Sequence, residues 1–191
     1  MMDDHRFDLG TFEVVSGRMI ASDPCYAENL WCCNMLENAR NGTWHASIVY
    51  DDIAGSYPRV ARLTAEHECA DALVCSMEDA NICVGVDSGQ AGFFDAAHYR
   101  DDRVIDSCRI PSEQGDLWYD HCCQITLSRQ QAGVLPFGVV SSSGYGDGGY
   151  DCQIQRDAAG YIVRAEIVFI DAETDDEEDE DDSDECVSTD I

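Results

Sequence analysis

A mainly-β domain, folded as an antiparallel barrel or sandwich with one or two short helices, is what this sequence predicts; an α+β arrangement is the alternative. Three observations carry the prediction. Apolar and β-branched residues recur in short runs, turn residues separate those runs at short spacing, and few stretches repeat with a helical period. With 191 residues the chain accommodates one such domain plus an appendage, placed at 7–170 and 171–191.

The elements follow in chain order. Residues 11–15 and 18–21 read as strands on either side of Ser16-Gly17, a turn-forming pair. Residues 27–40 predict a short helix that stops near Asn41-Gly42. The segment TWHASIVY, 43–50, alternates and is rich in β-formers, 59–65 alternates too, and 82–86 is an apolar run ending in Asp-Ser-Gly. A turn or two of helix is expected over 94–100. Strands at 122–127, 134–140 and 161–170 complete the set, the last entered through the hairpin loop Asp157-Ala-Ala-Gly160.

Charge narrows the function classes. The formal net charge is −28, with 39 acids against 11 basic residues, every one of them arginine. Thirteen acids fall in residues 171–191, a block that repels itself and has little to bury, so a disordered acidic tail is expected there. The 26 acids that remain still outnumber the arginines across the body. Such a field opposes direct contact with a nucleic-acid backbone or an anionic membrane. The chain opens without a charged-then-apolar leader, and no apolar stretch reaches the ~20 residues of a bilayer span, so a cytoplasmic protein is expected. In that reducing setting most of the 11 cysteines should be thiols, several of them buried as small apolar residues.

Three segments place an aspartate in a turn just after a strand: Asp23 in SDPCY, Asp87 in VDSGQAG and Asp147 in GDGGYD. Each carboxylate can fix its own turn by accepting from nearby backbone, while glycine supplies conformations closed to other residues. The functional reading is that these strand ends converge. Asp23, Asp87 and Asp147 would then gather with Cys25, Tyr26, Ser88, Gln90, Tyr145 and Tyr150 around one site, where a divalent cation such as Ca²⁺ or Mg²⁺ would offset the carboxylate repulsion. No EF-hand spacing supports a cation, since GDGGYD lacks the regular ligands and the closing Glu. The adjacent pairs Cys32-Cys33 and Cys122-Cys123 point to opposite faces if they lie in strands, which argues against a shared zinc. Cys25 becomes a nucleophile only if a histidine lies beside it in space. Neither a G-x-S-x-G elbow nor a P-loop occurs.

Seven segments in order carry a resemblance: SGRMIASDPCY, NGTW at 41–44, RVARLTAEH, GVDSGQAGFFD, WYD at 118–120, GVVSSSGYGDGGYD and AEIVFI. Together they resemble an uncharacterised domain-of-unknown-function family of bacteria and their viruses, over most of residues 11–170. The resemblance implies a domain boundary before the tail and draws attention to the three Asp-bearing turns; it implies no reaction.

The leading expectation is therefore a non-catalytic binding module whose loop-rich, acidic strand-end site holds a protein, a small ligand or a cation. A hydrolase-like enzyme built on the same carboxylates is one alternative. An acidic decoy or nucleic-acid mimic is the other. The expected redox state is directly measurable: alkylating the unfolded chain without reductant should label most thiols by mass spectrometry. Several protected pairs would overturn the reducing-compartment reading.

Overall fold

The computed structural model describes residues 6–28, 30, 32–51, 57–70 and 76–171; the acidic segment 172–191, with its expected disorder, lies outside the described residues. Eleven strands appear among the described residues: β1 (Arg6–Val14), β2 (Arg18–Ser22), β3 (Asn34–Glu37), β4 (Gly42–Asp51), β5 (Arg59–His67), β6 (Glu78–Val86), β7 (Gln90–Asp95), β8 (Ala132–Leu135), β9 (Gly138–Ser142), β10 (Gly148–Arg156) and β11 (Ile162–Val168). They form a six-stranded sheet in the order β1-β4-β5-β11-β10-β6 and a five-stranded sheet in the order β3-β2-β7-β9-β8. Every pairing within these sheets is antiparallel. The sheets face one another without closing, so the fold is a sandwich and not a barrel.

Side-chain alternation explains the sandwich. Along β4, Trp44, Ala46 and Ile48 turn inward, as successive same-face positions of a strand must. With Phe12, Leu63 and Ile167 they meet Met19, Phe93 and Val139 from the opposite sheet in one continuous core. Each large apolar side chain enclosed there contributes roughly 1.5–3 kcal/mol relative to exposure. The five-stranded sheet carries a second apolar face. Ile20, Phe94 and Val140 point away from the sandwich and pack against Trp118 and Cys122 of a helix, α1 (Asp116–Thr126). Because both faces of this sheet are covered, its strands read as unbroken apolar runs instead of alternating ones.

That double coverage accounts for several differences from the sequence expectations. The run 134–140 is two strands, β8 and β9, joined through Pro136-Phe137, where proline cannot donate to a ladder. Residues 122–127, expected as a strand, lie mostly in α1, which buries Leu117, Trp118 and Cys122 against the sheet. Tertiary packing overrides the β propensity of that stretch. The helix expected over 27–40 is absent among the described residues; Asn34–Glu37 instead pairs with β2. Over 94–100, β7 continues to Asp95 and is followed by turns, with a short 3₁₀ segment only at Asp102–Val104.

Buried aspartates hold the connections. The Asp95 carboxylate is fully enclosed. One oxygen accepts from the Val15 and Ser16 amides and the Ser16 hydroxyl at 2.9, 2.8 and 2.7 Å, and the other from the Ala97 amide and His98 Nδ1 at 3.1 and 2.9 Å. It thereby ties the β1–β2 turn to the end of β7. Asp102 acts likewise at α1, whose first residue follows Gly115 without a side-chain cap of its own. Its oxygens accept from the Gly115 and Trp118 amides at 2.7 and 3.1 Å, so a distant carboxylate supplies the missing cap and complements the helix dipole.

Burial alone would raise the Asp95 carboxyl, but donors from Ser16, His98 and Val15 outweigh it and hold the group below its ordinary value. A carboxyl that titrates lower in the folded chain stabilises the fold above the unfolded value near ~4, and that stability is lost as pH falls through the folded value. Asp95→Asn is therefore expected to cost about 1–3 kcal/mol at neutral pH, with the gap from wild type narrowing in acid. Urea melts across the acid range measure this; a gap that stays constant as both forms are acidified would contradict the assignment.

Candidate functional site

The SDPCY turn leaves β2 at Ser22 and places Asp23 wholly inside the protein. Four donors converge on its carboxylate. Oδ1 accepts from the Cys25 amide at 2.8 Å and the Ser88 hydroxyl at 2.6 Å; Oδ2 accepts from the Asp87 and Ser88 amides at 2.9 and 2.7 Å. The β6–β7 loop is thus fastened to the end of β2 by a single side chain. Charge-assisted bonds of this kind are among the stronger hydrogen bonds, and they satisfy the charge where water cannot.

The same turn is held from its other side. The Tyr99 hydroxyl donates to the carbonyls of Tyr26 at 2.8 Å and Asp23 at 3.3 Å. Arg100 Nη1 donates to the Pro24 and Cys25 carbonyls, both at 3.0 Å, and Nη2 reaches the Gln114 carbonyl at 3.3 Å. Neither Tyr99 nor Arg100 stood out in the sequence. The signal that the segment FFDAAHYR does carry is Asp95, an aspartate at the end of a strand like those that mark Asp23, Asp87 and Asp147.

The β9–β10 turn adjoins this assembly. Ser143 donates its amide to the Gly89 carbonyl at 3.1 Å, which joins the two loops. Residues 143–146 close with a bond from the Gly146 amide to the Ser143 carbonyl at 3.0 Å. Gly144 takes a φ of +61°, as the first central residue of a II′ turn must. A Cβ on it would also stand 3.0 to 3.1 Å from Ile170 and Phe169, so glycine is required twice over. Tyr150 seals the turn from below: its hydroxyl donates to the Ser143 and Gly146 carbonyls at 3.0 and 2.6 Å, and its ring meets Phe169 edge-on.

The nine expected site residues therefore separate by role. Asp23, Cys25, Tyr26, Asp87 and Ser88 meet in one place. Tyr145, Asp147 and Tyr150 belong to the adjoining turn. Gln90 is buried and faces α1, donating to Cys123 Sγ at 3.3 Å and accepting from the Thr126 hydroxyl at 3.1 Å. Asp87 and Asp147 are exposed, and they are the next residues on each strand beyond Val86↔Gly148, the last pair of the β6–β10 ladder. The metal set Asp23, Asp87 and Asp147 is not gathered: among the described residues no three His, Cys, Asp or Glu side chains come close enough to hold an ion. Asp23 has no oxygen left unbonded for one.

Two thiols and three phenols here are pushed above their ordinary values. Burial, with Asp23 adding to it, pushes the Cys25 thiol up to about 12. A bond to Asp87, together with burial, raises the Tyr26 phenol. Burial raises Cys33, Tyr99 and Tyr119 as well. A nucleophilic thiol requires the reverse shift, toward thiolate at neutral pH. What the arrangement can do is hold two loops rigidly and present Asp87, Asp147 and the half-exposed Tyr145 outward.

The two kinds of aspartate should separate cleanly in mutagenesis. Asp23→Asn turns one acceptor into a donor that faces backbone N–H groups, so a loss of about 2–4 kcal/mol in denaturant melts is expected, near the upper range for buried polar groups. Asp147→Asn keeps turn chemistry and removes only an exposed charge, so a change within about 0.5 kcal/mol is expected, with no difference between chelator and added Ca²⁺ or Mg²⁺. A cation-dependent melting shift in wild type that disappears in Asp147→Asn would restore the metal site.

Comparison of the chain with protein-family models, with curated proteins and with solved structures finds no match to any of them.

Proposed function

We propose that the protein is a non-catalytic binding module whose working surface is the end of the sandwich where β6 passes to β7 and β9 to β10. Its ligand there is a cationic group carried by a protein or a small molecule. The observation that carries this reading is the pair Asp87 and Asp147, two exposed carboxylates on neighbouring strand ends with no ion-pair partner among the described residues. Like charges so placed oppose folding, and an incoming cation would relieve them. The loops beneath are fastened by Asp23, so little ordering cost falls on the ligand. Tyr145, 56% exposed, stands two residues from Asp147 and already carries one cation, the Arg59 guanidinium, 5.1 Å over its ring.

Binding is favoured over hydrolysis by Cys25, which keeps its proton at neutral pH. An arginine- or lysine-bearing partner is favoured over a metal ion, because a salt-bridging side chain needs two carboxylates and not a closed coordination shell. An acidic mimic draws less support: Asp23, Asp95 and Asp102 face inward and are not spaced along a surface. No helix among the described residues is long and apolar enough to cross a membrane. The nine cysteines among the described residues are free thiols, which supports a cytoplasmic, reducing setting.

The test is titration of the full chain with a short Gly-Arg peptide, followed by calorimetry at low salt. Asp87→Asn/Asp147→Asn should weaken binding by roughly tenfold, about 1.4 kcal/mol. The charge-matched control Asp106→Asn/Asp120→Asn should change it little. Equal weakening by both doubles would mean that the peptide senses only the overall field, and the site assignment would fall.

A further inference from the structure

A second surface carries charge of the opposite sign. At the edge where β5 begins, Tyr57, Arg59, Leu127, Arg129 and Gln131 line an open cleft of about 440 Å³. Tyr57 and Leu127 are 69% and 86% exposed, unusual for residues of that type. Among the described residues the lining includes two of the chain's 11 arginines and no carboxylate, in a protein of net charge −28. Asp51 lies opposite Arg59 in the β4–β5 register, but the two form no ion pair. Its Nη1 donates to the Gly144 carbonyl at 3.1 Å and its guanidinium stacks over the Tyr145 ring at 5.1 Å.

The chain leaves the described fold at the same place. After β11 the Phe169 and Ile170 amides both donate to the Ala61 carbonyl, two residues from Arg59. Ile170 and Phe169 border Gly144, the residue whose carbonyl Arg59 holds. Residues 172–191 begin one residue later and hold twelve Asp or Glu. At about 3.3–3.6 Å per extended residue, the five steps from Ile170 to the start of the acidic run at 175 span up to roughly 18 Å.

We infer that the acidic C-terminal segment of this chain, residues 172–191, is the occupant of the Arg59–Arg129 cleft. Tethering places it there at roughly millimolar effective concentration, ahead of any free acidic ligand. Each exposed ion pair adds little to global stability, so the docking is electrostatic and reversible rather than part of the fold. An occupied cleft also sets carboxylates beside Tyr145, next to the proposed binding end, although the inference does not depend on that function.

The test uses the full chain and reads the arginine Nε–Hε signals by NMR. Changing the acids of 175–182 to their amides should shift the Arg59 and Arg129 signals and leave Arg18 and Arg109 in place. Raising salt to about 0.5 M, where screening acts within a few ångströms, should produce the same shifts in wild type. Conversely, Arg59→Gln/Arg129→Gln should move the backbone amide signals of 175–182, whereas Arg103→Gln/Arg109→Gln should not. Unmoved Arg59 and Arg129 signals would overturn the inference. So would a response centred on Arg103 and Arg109, or tail shifts that fade on dilution, which would assign the tail to a second copy.

Discussion

Buried carboxylates accepting from backbone amides are the interaction on which this structure depends. Asp23 joins the β2 turn to the β6–β7 loop, Asp95 joins the β1–β2 turn to the end of β7, and Asp102 caps α1 from outside the helix. A bare carboxylate in the interior would be prohibitive; one that accepts several N–H bonds is not, because the donors replace the lost water. The cost of breaking such a contact is correspondingly large, since the donors left behind are themselves buried.

This changes how the acid content reads. A chain with 39 acids and no lysine would suggest a uniformly repelling surface. Part of that negative charge is instead internal scaffolding. Arginine complements it in the same way: Arg100 uses its guanidinium on three carbonyls, and Arg40 pairs with Asp157 beside the β10–β11 turn. Asp87 and Asp147 on the β6–β7 and β9–β10 turns, and Arg59 and Arg129 at the neighbouring cleft, enter no ion pair among the described residues.

The cysteines follow the same division between inside and outside. In each adjacent pair one thiol is fully buried, Cys32 and Cys122, while its neighbour is only partly so. Cys122 fills space between α1 and the five-stranded sheet, and burial drives its thiol upward, as it does for Cys152 in the sandwich core. They behave as small apolar residues.

The sequence by itself determined the fold class and most strands of the six-stranded sheet. Those strands bury one face, so alternation in 43–50 and 59–65 is written directly into residue order. It also marked the turns, because Asp, Gly and Ser have local conformational effects that need no partner. Tertiary structure decided the rest. Whether 122–127 was helix or strand depended on the sheet face beneath it, and whether 134–140 was one strand or two depended on the Pro136 carbonyl meeting β1 and the Phe137 carbonyl meeting β7. The site divided in the same manner. Residue order placed Asp23, Asp87 and Asp147 in equivalent turns, yet only the packed structure enclosed Asp23 among four donors and left the other two facing water, because burial is set by what comes from elsewhere in the chain.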